Sequence, residues 1–149
     1  MTPREDGEFP PIRELLPHRG KMLLLDEVVD AGPASVTCRV HIRSSSSFVE
    51  AGRVPGLVAL EYMAQTVGAY AGLRAREQGG PVRIGYLLGS RDVQLSGRDF
   101  LVGDDLLVEA QHVFGDEAIG AFDCKVTRLG TVEASGRLNV YLADPTEAR

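Results

Sequence analysis

Pro55-Gly56-Leu57-Val58-Ala59-Leu60-Glu61-Tyr62-Met63-Ala64-Gln65-Thr66-Val67-Gly68-Ala69-Tyr70-Ala71-Gly72-Leu73 is the longest apolar stretch of the chain. Alanine, leucine and methionine favour helix, and a segment from Leu57 to about Arg76 is too long for a strand. Apolar residues occupy nearly every position around its circumference, which predicts a helix buried on most faces. Gly79-Gly80-Pro81 terminate it. Two polar residues stand out. Glu61 sits near the start among apolar neighbours, where a carboxylate is costly to bury unless paired or protonated. Gln65 follows four residues later on the same face and can orient it. Glu61 is therefore a candidate acid; equally, it reaches solvent at the helix edge or pairs with an arginine. Gly56 is either a plain turn glycine after Pro55 or a backbone N–H donor at the positive end of the helix.

Outward from the helix the pattern changes to period two. Ala34, Val36, Cys38, Val40 and Ile42 alternate with Ser35, Thr37, Arg39, His41 and Arg43, the mark of a half-buried strand. Before it, Met22 to Val29 form an apolar run of strand length, and Asp30-Ala31-Gly32-Pro33 are turn chemistry. Ile12 to Leu16 predict a helical turn or two, ended by Pro17. Ser44 to Ser47 make a serine loop, and Phe48 to Val54 are expected to be irregular around Gly52. After the helix, strands are predicted at Val82–Leu88, Arg91–Leu95, Leu106–Phe114, Ala118–Arg128 and Thr131–Tyr141. Gly89-Ser90 divide the first two. Val102-Gly103-Asp104 form a turn within Asp99–Asp105, and Gly115-Asp116 and Leu129-Gly130 turn consecutive hairpins. One greasy helix against a long antiparallel sheet is an α+β plan in a single domain, 1–149, with loose tails at 1–9 and 145–149. Such a sheet leaves edges and apolar surface open, and dimerisation is expected to cover them.

Composition sets further limits. A length of 149 residues suits one domain, and 44% hydrophobic with 25% charged residues is ordinary for a globular protein. The net charge of −5 argues against general nucleic-acid binding. Arginines outnumber lysines fourteen to two, and Arg74, Arg76, Arg83, Arg91 and Arg98 are either solvated surface charges or contacts for an acidic partner. Cys38 and Cys124 fall at inward strand positions and are read as buried thiols, with no disulfide. No motif suggests zinc or another metal, and no redox cofactor is implied. The polar N-terminus lacks a signal core and no stretch reaches the length of a membrane span, so a cytoplasmic protein is expected. Of the three histidines, His41 faces the polar side of its strand, His112 alternates with apolar residues, and His18 sits at a helix-to-strand turn.

Three segments carry a resemblance. Leu16-Pro17-His18-Arg19 with Met22-Leu23-Leu24-Leu25-Asp26-Glu27-Val28, then Pro55 to Gln65, then Val102-Gly103-Asp104, resemble in the same order the motifs of bacterial 3-hydroxyacyl-acyl-carrier-protein dehydratases. Similarity is strongest to atypical dehydratase-like proteins of the sort associated with aryl-polyene and related lipid pathways. The resemblance implies a hot-dog fold, a long central helix wrapped by an antiparallel sheet, with an acyl thioester held in a tunnel between two subunits. It implies Glu61 as the catalytic acid that protonates the leaving 3-hydroxyl, Gln65 as the residue holding that carboxyl, and Gly56 as the N–H that polarises the thioester carbonyl.

One departure matters. The family histidine that removes the C2 proton stands fourteen positions before the acid, and here that count lands on Ser47, followed by Phe48. Ser47 and Phe48 are then expected to line the substrate site, but serine cannot serve as a base near neutral pH without an activating partner. His18 is the substitute base that lies within a matching segment, and Glu50 is a candidate second carboxylate or a solvated loop charge. The reading is a lyase that dehydrates 3-hydroxyacyl thioesters, carried on acyl carrier protein or coenzyme A, to 2-enoyl thioesters in fatty-acid or polyene-type synthesis. Two others stay open. One is a non-catalytic or carrier-binding subunit of a heteromeric dehydratase, so that the dimer is either homo- or heteromeric; the other is an acyl thioesterase.

Overall fold

A computed structural model of the chain describes residues 9–116 and 118–143. The expected tails 1–8 and 145–149 lie outside the described residues, whereas Phe9, assigned to the first tail, packs against the core. The segment opening with the long apolar stretch makes a 3-10 turn at Gly56–Val58 and continues as helix α1, Ala59–Glu77. The strands are β1 (Glu27–Gly32), β2 (Ser35–His41), β3 (Arg53–Val54), β4 (Gly85–Leu95), β5 (Phe100–Leu101), β6 (Asp105–Gly115), β7 (Ile119–Arg128) and β8 (Thr131–Leu142). Six of them form one antiparallel sheet in the order β1-β2-β6-β7-β8-β4, and β3 pairs with β5 in a small second sheet. Helix α1 packs on this sheet, chiefly on β2, β6 and β7. This is the α+β plan expected.

The period-two pattern explains the packing. Val36, Cys38, Val40 and Ile42 are buried, as are Leu106, Val108 and Ala110 of β6 and Phe122, Cys124 and Val126 of β7. They meet Tyr62, Met63, Val67, Tyr70 and Leu73 of α1 in one core. Both cysteines are free, and burial pushes each thiol up to about 12. Both expected hairpin turns are present, with Gly115 and Gly130 at positive φ.

Four expectations shift. The apolar run Met22–Val29 is strand only at its end: Gly20–Met22 is a 3-10 turn and β1 begins at Glu27. The reason lies in hydrogen bonding, because Met22 O and Leu24 N–H are taken by the Gln65 side chain rather than by a neighbouring strand. Strand β1 accordingly runs on through Asp30–Gly32, the stretch read as a turn, and the chain reverses before Ser35. Val82–Leu88 and Arg91–Leu95 merge into the single strand β4, since Gly89-Ser90 is absorbed as an irregularity in its pairing with β8. Residues 53–54, placed in irregular chain, form β3.

Strand β4 ends the sheet and is exposed along nearly its whole length, including Tyr86, Leu87, Leu88 and Leu95. Its outer edge therefore presents unpaired backbone groups beside apolar side chains.

Close approach fixes the N-terminal segment on α1. A Cβ on Gly72 would stand 2.2 Å from Leu15 O, whereas one on Gly68 would meet only the flexible end of Leu16 at 2.8 Å. Gly72→Ala is expected to destabilise the protein by about 2–3 kcal/mol through overpacking against a fixed backbone, despite its better helix propensity. Gly68→Ala should stay within about 1 kcal/mol of wild type. Urea unfolding of the two variants separates these outcomes.

Candidate active site

Gln65 organises the site. Its side chain is 1% exposed and every polar atom of its amide is used. The Oε1 atom accepts from Leu24 N at 3.0 Å, and Nε2 donates to Met22 O at 2.7 Å and to Glu61 Oε1 at 3.1 Å. A backbone donor on one side and a backbone acceptor on the other leave a single orientation for the amide. The helix spacing of four residues then delivers one fixed N–H to the Glu61 carboxylate. The Glu61 side chain is 44% exposed, so this chain alone does not impose the deep burial anticipated from its apolar neighbours, and no arginine pairs with it among the described residues.

His18 faces the same carboxylate, with Nε2 4.0 Å from Glu61 Oε1, just beyond hydrogen-bond reach. Its Nδ1 is buried and has no hydrogen-bond partner among the described residues. Nδ1 is unsatisfied in either tautomer, as donor or as acceptor. The ring nitrogen that faces Glu61 is Nε2, so the chain brings the base expected from the sequence beside the expected acid.

The remaining candidates are dispersed. Ser47 Oγ donates to Lys21 O at 2.6 Å, and no hydrogen bond joins Ser47 to Glu61 among the described residues. With Lys21, Leu23, Leu24 and Tyr62 it lines a cavity of about 350 Å³. Phe48 lies outside this lining, half-exposed at a φ of 70°, a region uncommon for a residue with a side chain. Glu50 is exposed and its backbone bridges to Arg53. His41, expected to be solvated, instead holds Asp105 at 2.8 Å and keeps that carboxyl below its usual range. His112 is half-buried against Tyr70 and Phe122, as its alternation suggested. Arg98, read among the surface arginines, pairs with the buried Glu133, and Arg83 donates to the carbonyls of Leu142 and Ala143.

Gly56 departs furthest from its expected role. Its N–H donates to Asp99 Oδ1 at 3.1 Å, and a Cβ at this position would lie 2.6 Å from Arg98 O. The glycine is needed for close passage of the 98–99 backbone, and its amide is already occupied. Sequence reading missed Asp99, since the residue belongs to an ordinary-looking turn. It also passed over Tyr62, whose phenol is pushed up to about 12 by burial and then by the charge of Asp26.

The profile of the ApeP-like family, described as ApeP dehydratase, matches residues 10–149. The chain belongs to the ApeP-like dehydratase family. A chain of the solved dehydratase heterocomplex ApeI:P from Xenorhabdus doucetiae is 32% identical, with a TM-score of 0.89 over 95% of this chain and 96% of that one. The hot-dog fold implied by the sequence resemblance is thereby established. The 3-hydroxyacyl-[acyl-carrier-protein] dehydratase FabZ of Acinetobacter baylyi is 26% identical over 134 residues, covering 87% of this chain and 90% of its own. A hypothetical thioesterase with coenzyme A from Streptococcus pneumoniae, 15% identical at a TM-score of 0.60 over 78% of this chain and 84% of its own, shares the fold alone.

Replacing the organising amide tests how much of the site depends on it. Gln65→Leu is expected to lower stability by about 2 kcal/mol, since the Leu24 N–H and Met22 O lose their partner. The same variant should abolish dehydration of a 3-hydroxyacyl thioester when mixed with a histidine-bearing hot-dog subunit, and the pair of measurements is equilibrium unfolding of the chain alongside a turnover assay of the mixture.

Proposed function

We propose that this protein dehydrates 3-hydroxyacyl thioesters on acyl carrier protein to 2-enoyl thioesters, and that it works as the acid-bearing member of a pair of hot-dog subunits. The observation that carries this reading is the Glu61–Gln65 unit, an oriented and accessible carboxyl with His18 4.0 Å away and a serine, Ser47, at the position of the family's base. Glu61 protonates the 3-hydroxyl, which leaves as water when the C3–O bond breaks. A base takes the C2 proton, and the electron pair of the C2–H bond becomes the new double bond. Afterwards the proton gained by the base returns to Glu61, and His18 Nε2 lies on the carboxylate side of that return.

Ser47 stands where the family places its base, with its hydroxyl donated to Lys21 O, and His18 lies beside the acid itself, Nε2 4.0 Å from Glu61 Oε1, where it serves the return of the proton. A second subunit with an imidazole is the fitting source of the base. The similarity to a chain of the ApeI:P heterocomplex and the open edge of β4 both favour such a pairing. The thioesterase reading has only the shared fold behind it.

The test is to restore the imidazole within this chain. Purified alone with 3-hydroxyacyl-carrier protein, wild type should give little 2-enoyl product by mass spectrometry. Ser47→His should raise the rate by about 10²–10⁴-fold, the usual contribution of a positioned general base. Glu61→Gln should remove that gain and also silence wild type mixed with a histidine-bearing hot-dog subunit. Full activity of the mixture with Glu61→Gln would instead make this chain a scaffold. Strong activity of wild type alone that is lost in His18→Ala would return the base to His18.

A further inference from the structure

The Gly56 amide, the donor that a thioester carbonyl would use, is closed by a carboxylate of the same chain, and the surroundings show how it opens. Asp99 Oδ1 accepts the Gly56 N–H at 3.1 Å, while its other oxygen, Oδ2, lies 3.9 Å from Arg53 Nη1. The two oxygens thus address two different partners. The backbone beneath them is fixed. Arg128 Nη1 donates to Asp99 O at 3.1 Å and to Asp104 Oδ2 at 2.6 Å, and the same guanidinium pairs with Glu133, which is 3% exposed. Arg53 and Leu101 are held in register by the pairing of β3 with β5. The Asp99 side chain is partly exposed and lies between the Gly56 amide and the exposed Arg53 guanidinium.

We infer that Asp99 is a gate on thioester binding: in the free chain its carboxylate occupies the Gly56 N–H, and a thioester carbonyl gains that donor only when Asp99 turns onto Arg53. The inference rests on the dehydratase reading for the identity of the ligand. Its physical basis is unequal competition. A carboxylate accepts a charge-assisted hydrogen bond roughly twice as strong as that of a neutral acceptor, and it is tethered beside the amide, whereas the thioester oxygen is neutral and arrives from solution. The observed affinity is then the intrinsic one reduced by the fraction of open chains. A merely structural Asp99, fastening the start of the helix, predicts the opposite sign, because its removal would loosen the site.

The experiment follows the Gly56 amide by ¹H–¹⁵N NMR in the full chain during titration with 3-hydroxybutyryl-pantetheine. In Asp99→Ala the Gly56 signal should move, with affinity about 10–100-fold tighter than in wild type, the span given by one charge-assisted hydrogen bond. Asp99→Asn, which keeps the side-chain shape without the charge, should fall between the two and guards against misfolding of the alanine variant. Arg53→Gln should weaken binding in the wild-type background and have no effect in the Asp99→Ala background, which separates a latch for Asp99 from a direct contact with the ligand. Equal or weaker binding in Asp99→Ala overturns the gate, as does thioester binding without movement of the Gly56 signal in any variant. Because the readout is equilibrium binding, movement of Gly56 in Asp99→Ala with no water eliminated even in the presence of a histidine-bearing hot-dog subunit leaves the gate standing and removes the dehydratase reading. Absence of thioester binding in every variant overturns both.

Discussion

The arrangement of this molecule depends on one side chain satisfying two backbone groups of a distant segment. Gln65 holds Met22 O and Leu24 N–H in the way a neighbouring strand would, and in doing so converts residues 20–26 from a strand into a strap across the helix. The strap then positions the rest: Lys21 O receives Ser47, and Leu25 enters the core beside the helix. The same amide spends its remaining N–H on Glu61. Stability and chemistry are therefore coupled at a single residue, because a buried amide with every partner in place is favourable only while all of them remain.

A second polar centre sits at the other side of the helix start. Glu133 lies buried on β8 with Arg98 and Arg128, and Arg128 reaches on to Asp104 and Asp99 O. Breaking such a cluster would strand a charge, which is more costly than never having built it. Its geometric effect is to hold the 98–99 backbone, between β4 and β5, against Gly56, where no Cβ fits. The start of α1 is thus clamped between a neutral network at Gln65 and a charged one at Glu133.

The fold was legible because two periodicities are written cleanly. Alternation from Ala34 to Ile42 marked β2, and an apolar run of helical length marked α1. The misreading of the first half of Met22–Val29 has a definite cause: apolar character does not report which partner takes the backbone groups, and here a helix side chain takes Met22 O and Leu24 N–H. The pair Glu61 and Gln65 was visible from spacing alone. The status of His18 was not, since it turns on which ring nitrogen faces Glu61. Asp99 was invisible for a different reason: it lies 43 residues from Gly56, and nothing local in a polar turn reports a contact formed only by tertiary packing.

The open edge of β4 acts like an unused valence. Along this strand of eleven residues, alternate backbone groups point outward with no strand partner among the described residues, next to tyrosine and leucine side chains that water solvates poorly. Any chain that lies along this edge adds ladder bonds and removes apolar surface, so its binding energy becomes folding energy by mass action. The melting temperature of such a protein is then a property of the mixture it is made in, rising with the concentration of whatever completes the sheet. A chain whose edge stays uncovered remains a template for indiscriminate strand addition.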